Sequence, residues 1–387
     1  MFLKTIPILI IIAILLGGCS ESTDVDKTYD RFVYFTVDNS ANTDKSGLYK
    51  YSIVTSSFIR LHAESYHYIS RITQDRKFIF EKHFFDGGQI AENERYMKMM
   101  DGSVITPNKP PQPENGWDVE MTPLPRAATA YNGRYLLFGG IALNPDEAPQ
   151  QKPFLLLFDM AETSYDFVPL YEFIKDNEEQ LKATNATTAG DFFGLTQDGS
   201  AIYFILKTLD ENPGWALCSY KSDSLRMEMG PFDEPLSIAG FDSYSGNVIL
   251  KMNDTIRTYS NGEISYNPLD KEHFYSPNQI VPSRSEMVIA TDWGIELVYP
   301  SQGSTIDRVI SYDEIDPDGE YSHEGMQCVI SPDAQFIAFI MHKKEYAEGL
   351  YDLFIIARDG TEMTKVAENQ SVTSMAISLP YEIDTSD

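Results

Sequence analysis

Carboxylates alternate at Glu314, Asp316 and Asp318, and Gly319 completes the run Glu314-Ile315-Asp316-Pro317-Asp318-Gly319. Oxygen ligands two residues apart, followed by a glycine turn, are what a calcium loop wraps around a hard cation. A twelve-residue loop of that kind closes on a bidentate glutamate, and the twelfth position here is Gly325. A solvated acidic loop is therefore the expectation, with calcium as the weaker alternative and no other cofactor. The six histidines, His62, His67, His83, His273, His323 and His342, form no H-E-x-x-H and no i, i+4 pair for zinc. There is no G-x-S-x-G nucleophile elbow and no Ser-x-x-Lys pair. No residue is assigned a catalytic role on this reading.

The one thiol placed for covalent modification is Cys19. Lys4 precedes an apolar run from Ile6 to Leu16, which ends in Leu16-Gly17-Gly18-Cys19. Eleven residues are too few to span a bilayer. The run resembles the bacterial lipobox, in which small residues admit the signal peptidase and the cysteine takes a diacylglycerol. The resemblance implies a signal peptide over 1–18 and a lipidated tether over 19–30. It also implies attachment to a bacterial membrane, the outer one because Ser20 is not the aspartate that retains such proteins at the inner membrane. Glu21, Asp24 and Asp26 resemble acidic surface-export signals, so the body is expected in the periplasm or at the cell surface.

The 387 residues carry 58 acidic against 30 basic side chains, a formal net charge of −28. That field repels phosphate backbones, so nucleic acid is excluded as a partner class. The remaining cysteines, Cys218 and Cys328, sit in strand-like runs (WALCSY, MQCVIS) and read as buried thiols.

The elements that must position these residues emerge from self-similarity. A polar turn before a β-branched or aromatic run recurs with strand markers at Phe32, Phe78, Tyr135, Ala201, Val248, Met287 and Phe336, spaced by 46, 57, 66, 47, 39 and 49 residues. This is the period of a four-stranded propeller blade. Strand A precedes the polar turn, B carries the marker, C follows, and D follows a hairpin turn. Asp101-Gly102, Asn261-Gly262 and Asp359-Gly360 have the composition of type I′ hairpin turns, which need positive φ at both residues.

SPDAQFIAFI followed by LYDLFIIARDGT, over residues 331–361, resembles the WD-repeat-like propeller repeat of the TolB family. LTQDGSAIYF matches in part. The likeness departs where Ala334 replaces the repeat's glycine, and the chain lacks that family's amino-terminal α/β domain. It implies an all-β propeller fold, and the seven strand markers make it a seven-bladed β-propeller of four-stranded antiparallel blades over 31–378, with six or eight blades as alternatives. SVTSMAIS (371–378) is expected to pair into the first blade and close the ring, leaving 379–387 as a tail.

Leu170 to Ala183 has helical spacing between blades three and four, and Pro107 to Gly116 is a proline-rich loop. Strands of a blade alternate in direction, so B–C and D–A connections share one face. The long connections, 84–94, 140–153, 207–214, 102–125, 168–190 and 311–324, all belong to it. Phe84 and Phe85 at a B–C turn and Trp117 in a D–A loop are accordingly the expected binding aromatics. The function expected is a binding or scaffold module for an envelope protein or other macromolecule. The alternative is a propeller enzyme, or a binder of a small sugar or peptide, that uses the central channel.

Overall fold

Segments such as Ala201–Thr208 (AIYFILKT) and Phe336–Lys343 (FIAFIMHK) are apolar at successive positions, which suits strands covered on both faces. In Phe336–Lys343, Ile337, Phe339 and Met341 enter one core while Ala338 and Ile340 enter the other. Ala201–Thr208 divides the same way, with Ile202, Phe204 and Leu206 on one side and Ala201, Tyr203 and Ile205 on the other. Side chains alternate across a strand, so each such strand serves two cores.

The computed structural model describes residues 28–383 apart from 39–45, 63–66, 73–76, 87–88, 100–103, 106–117, 121–127, 130–133, 144–145, 147–150, 160, 184–185, 188–192, 197–198, 210–211, 242–246, 254, 268–275, 282–285, 292 and 300–304. Two compact units are formed, Met1–Asp30 with Pro380–Asp387, and Arg31–Leu379. In the first, Thr28–Asp30 pairs antiparallel with Tyr381–Ile383.

Among the described residues the second unit holds seven antiparallel sheets. Sheet one has Phe32–Val37, Gly47–Ser52 and Ser57–His62, with Val372–Ile377 on the free edge of Phe32–Val37. Sheet two has His67–Ile72, Lys77–Asp86, Gln89–Met99 and Val104–Ile105. Sheet three has Ala128–Thr129, Tyr135–Leu143, Gln151–Asp159 and Ser164–Pro169, and Asp118–Glu120 pairs with the end of Tyr135–Leu143. In sheet four, Ala186–Thr187 and Phe193–Leu195 both pair with Ala201–Thr208, which is followed by Trp215–Lys221 and Ser224–Phe232. Sheet five has Leu236–Phe241, Val248–Met252, Thr255–Ser260 and Glu263–Asn267. Sheet six has Ser276–Val281, Glu286–Ala290, Gly294–Tyr299 and Thr305–Ser311. Sheet seven has Tyr321–Ile330, Phe336–Lys343, Tyr351–Ala357 and Thr364–Gln370. Every strand marker read from the sequence falls in the second strand of its own sheet.

Apolar cores lie between neighbouring sheets: three with four, four with five, five with six, six with seven, and seven with one. Polar links cross some of the same boundaries. Tyr259 of sheet five donates to Glu228 of sheet four, and Arg358 of sheet seven pairs with Glu286 of sheet six at 3.0 Å. Cys218 and Cys328 are both buried in these cores.

The polar turns have a common construction. Ser331 Oγ accepts from the amides of Gln335 and Phe336, each at 3.0 Å, and donates to Asp333 Oδ1 at 2.7 Å. Thr196 Oγ1 likewise accepts from the Ala201 amide at 3.0 Å. The fourth residue of each turn is left-handed, Ala334 at φ 56° and Gly199 at φ 74°. Asn261 and Gly262, at φ 50° and 90°, make the expected turn. The hairpin at Asp359-Gly360 differs, because Asp359 Oδ1 instead accepts from the Thr361 amide and hydroxyl, at 3.0 and 2.6 Å. Only Gly360 of that pair has positive φ, at 82°. Asp101-Gly102 lies outside the described residues.

The helical spacing between sheets three and four appears as α1 (Tyr171–Asp176) and α2 (Glu178–Leu181). Leu170, Ile174 and Leu181 join the core between those sheets. A third short helix, α3 (Tyr312–Ile315), leads into sheet seven. Among the described residues no helix is long and apolar enough to cross a membrane.

Candidate functional site: a groove between sheets one and seven

Sheets one and seven share a core through Val33, Phe35 and Val37 on one side and Ala338, Ile340, Leu353 and Ile355 on the other. Toward the outer strands the two sheets part, leaving a groove of about 480 Å³. Such a volume falls within the roughly 300–1,000 Å³ of typical ligand clefts. One wall is aromatic and aliphatic: Phe35, Val37, Tyr49 and Phe58. Phe35 stacks on Tyr49 at 5.4 Å between centroids with planes 13° apart, and Tyr49 meets Phe58 edge-on at 6.1 Å. Phe58, 57% exposed, is the outermost ring of that ladder. An exposed phenylalanine at the end of a stacked series offers apolar area at little entropic cost.

The other wall is strand D of sheet seven, with Lys365, Val366, Ala367, Glu368 and Gln370 lining the groove. This edge strand is irregular. Its register against Tyr351–Ala357 shifts twice, and Asn369 is left-handed at φ 52°. Bulges of this kind re-aim side chains at sheet edges. The Asn369 amide finds its acceptor in Asp352 Oδ1 at 2.9 Å.

Asp352 organises the polar end. Fully buried, it accepts from the Tyr321 hydroxyl at 2.6 Å and pairs with Lys365 Nζ at 3.0 Å. Burial alone would raise its pKa, but the bonds from Tyr321, the Asn369 amide and Lys365 outweigh it and hold the carboxylate below its ordinary value. Burial and Asp352 together push the Tyr321 hydroxyl up to about 12. For Lys365, burial acts to lower the pKa, yet Glu368, Asp352 and Tyr321 prevail and raise it. Lys365 is thus a fixed ammonium and Tyr321 a fixed phenol at neutral pH. The group can orient and recognise; it offers neither an amine nucleophile nor a phenolate base.

The residues singled out in the sequence lie elsewhere. Phe84 and Phe85 belong to strand Lys77–Asp86, opposite Glu92 and Ile90, with a register break between them. The connection expected over 84–94 is therefore mostly strand, Lys77–Asp86 pairing antiparallel with Gln89–Met99. Trp117 and Cys19 lie outside the described residues.

Glu314 sits in α3, where its carboxylate accepts from the Ser311 amide at 2.9 Å and hydroxyl at 2.7 Å; these bonds lower its pKa. The Asp316 carboxylate accepts from the amides of Glu320 and Tyr321, each at 2.8 Å. Both side chains serve as caps for local backbone, while Asp318 is exposed. Among the described residues no three His, Cys, Asp or Glu side chains cluster so as to hold a metal ion.

The groove itself escaped the sequence reading. Its signal was present in Ser57–His62 (SFIRLH), an outer strand with Phe58 and Ile59 both 57% exposed.

No protein-family model matches the chain, and no curated protein matches it in sequence. Solved structures do. TolB from Acinetobacter baumannii is similar at 13% identity and TM-score 0.42 over 90% of this chain, which spans 66% of that protein. The β-propeller domain of the Trilobed protease from Pyrococcus furiosus is similar at 11% identity and TM-score 0.45, covering 79% of this chain and 86% of that one. A candidate 6-phosphogluconolactonase from Bacteroides uniformis ATCC 8492 reaches TM-score 0.50 at 10% identity, with 90% of this chain and 99% of that one covered. At such identity the likeness concerns the fold alone, an all-antiparallel array of successive sheets with TolB and a β-propeller domain among its neighbours.

Proposed function

We propose that this chain is a lipoprotein of the bacterial envelope whose seven-bladed β-propeller serves as a binding module for an envelope protein or other macromolecule. Cys19 is its acylated anchor, and the groove between sheets one and seven is its binding face. The groove carries this reading: an apolar, ligand-sized cleft ending in an exposed aromatic, set between two packed sheets. The seven successive sheets support the blade count, and the pairing of Val372–Ile377 with Phe32–Val37 supports closure of the ring by the C-terminal strand. The lipobox supports the outer membrane as the site of attachment, with the body in the periplasm or at the surface. Trp117, Phe84 and Phe85 are second-rank contacts.

Two measurements test the proposal. Cys19→Ala should abolish incorporation of a palmitate analogue and release the chain from the membrane fraction; unchanged incorporation refutes the anchor. A photo-crosslinking amino acid at position 58 should capture an envelope macromolecule in cells, whereas the same probe at exposed Thr163, in the hairpin of sheet three, should not. Equal capture at both positions refutes the groove.

A further inference from the structure

We propose that the groove takes an extended peptide segment in which an apolar or aromatic side chain is followed by lysine or arginine, an inference that rests on reading the groove as the binding face. The apolar half of the recognition is the wall of Phe35, Tyr49 and Phe58. The basic half follows from the charges around it.

Among the described lining residues the cation is already engaged: Lys365 lies between Asp352 and Glu368, each 3.0 Å from Nζ. The anion of the lining, Glu368, has its side chain 68% exposed and stands on the rim. The net charge of −28 adds long-range attraction for the same kind of partner. Both outer strands flanking the groove, Ser57–His62 and Thr364–Gln370, end their sheets, which suits a partner in extended conformation.

The test uses the full chain in phosphatidylcholine nanodiscs, with empty nanodiscs as control. Fluorescence anisotropy is read on a labelled Lys-Leu-Lys-Phe-Lys-Leu-Lys peptide and on its counterpart with glutamate for every lysine. The lysine peptide should bind at least about tenfold more tightly. Phe58→Asp and Glu368→Lys, both at exposed positions and checked for folding by circular dichroism, should each weaken it about tenfold. Phe58→Asp makes the protein more acidic, so diffuse electrostatic attraction would strengthen binding; unchanged or tighter binding by this variant overturns the site. Equal binding of the two peptides, or of neither, overturns the peptide class. In that case cross-linking from position 58 to another envelope macromolecule leaves the binding-face reading standing. Cross-linking solely to a second copy of the chain overturns the peptide class in favour of self-association.

Discussion

Arg31 reaches Asp333, 302 positions further along the chain, with Nη2 2.6 Å and Nε 3.1 Å from the same carboxylate oxygen. The other oxygen is held at 2.7 Å by Ser331, whose hydroxyl also fastens the turn before Phe336. Arg31 lies over the Phe336 ring at 5.1 Å as well. One ion pair thus ties the strand that opens sheet one to the polar turn of sheet seven.

The pair is half-buried, with side-chain exposures of 25% and 22%, which lifts it above the ~0–1 kcal/mol of a surface pair. Arg31→Met and Asp333→Asn should each cost about 1–2 kcal/mol. The double variant should cost less than the two together, by about 1 kcal/mol of coupling. Urea unfolding midpoints measure this, and strictly additive losses would remove the pair's role.

Gly199 and Ala334 occupy equivalent places in two polar turns, and the difference between them is testable. A Cβ on Gly199 would lie 2.2 Å from the Tyr135 ring of sheet three, in a backbone held at φ 74°. The left-handed conformation alone costs an L-residue roughly 1–2 kcal/mol, and displacement of Tyr135 adds to that. Gly199→Ala should lower stability by about 2–3 kcal/mol. Ala334→Gly relieves the same strain but removes a fully buried methyl, so it should change stability by less than about 1 kcal/mol. Thermal or urea unfolding of the two variants separates them, and equal effects would contradict the account.

This comparison also shows what the sequence made legible. The SPDA and TQDG turns are readable because a side-chain oxygen must replace a backbone partner and a left-handed residue must follow, so both requirements fix residue types. Strand runs such as FIAFIM are readable because burial on two faces leaves no polar position. The groove was not, because it results from two sheets diverging, and divergence is a property of twist and bulges rather than of any residue. Lys365 and Glu368 look like ordinary outer-strand charges until Asp352, from the neighbouring strand, is seen beneath them. Phe84 and Phe85 are expected at a turn because a B–C connection follows the marker strand, whereas the paired strand continues past them to Asp86.

Asp352 makes stability depend on acid. Its folded pKa lies below the unfolded value of about 3.9, so its contribution is fully present above that value and is lost as pH falls through the folded pKa. Asp352→Asn removes the charge that pairs with Lys365 and replaces one acceptor oxygen by a donor, leaving either Lys365 and Tyr321 or the Asn369 amide mismatched, and should cost about 3–5 kcal/mol at neutral pH. The gap between wild type and variant should stay constant from pH 7 to pH 5 and narrow only below about pH 4, where wild type alone loses the charged interactions. Urea midpoints across that range provide the measurement, and a gap constant throughout it would assign the loss to packing instead.

The two core thiols provide a check on the sheet packing itself. Burial pushes Cys328 up to about 12 and raises Cys218 as well, with Glu228 adding to the latter. Both lie at full burial between sheets, Cys218 with three and four, Cys328 with six and seven. A thiol reacts as its thiolate, so at pH 8 neither should react with an aromatic disulfide reagent while the chain is folded. In Cys19→Ala, which leaves only these two thiols, native protein should release no coloured product over minutes, and urea should expose both in a single phase. Rapid reaction of one thiol in the native state would mean that its sheet boundary opens independently, and pairing it with Gly199→Ala or Arg31→Met would show which neighbour had been holding it closed.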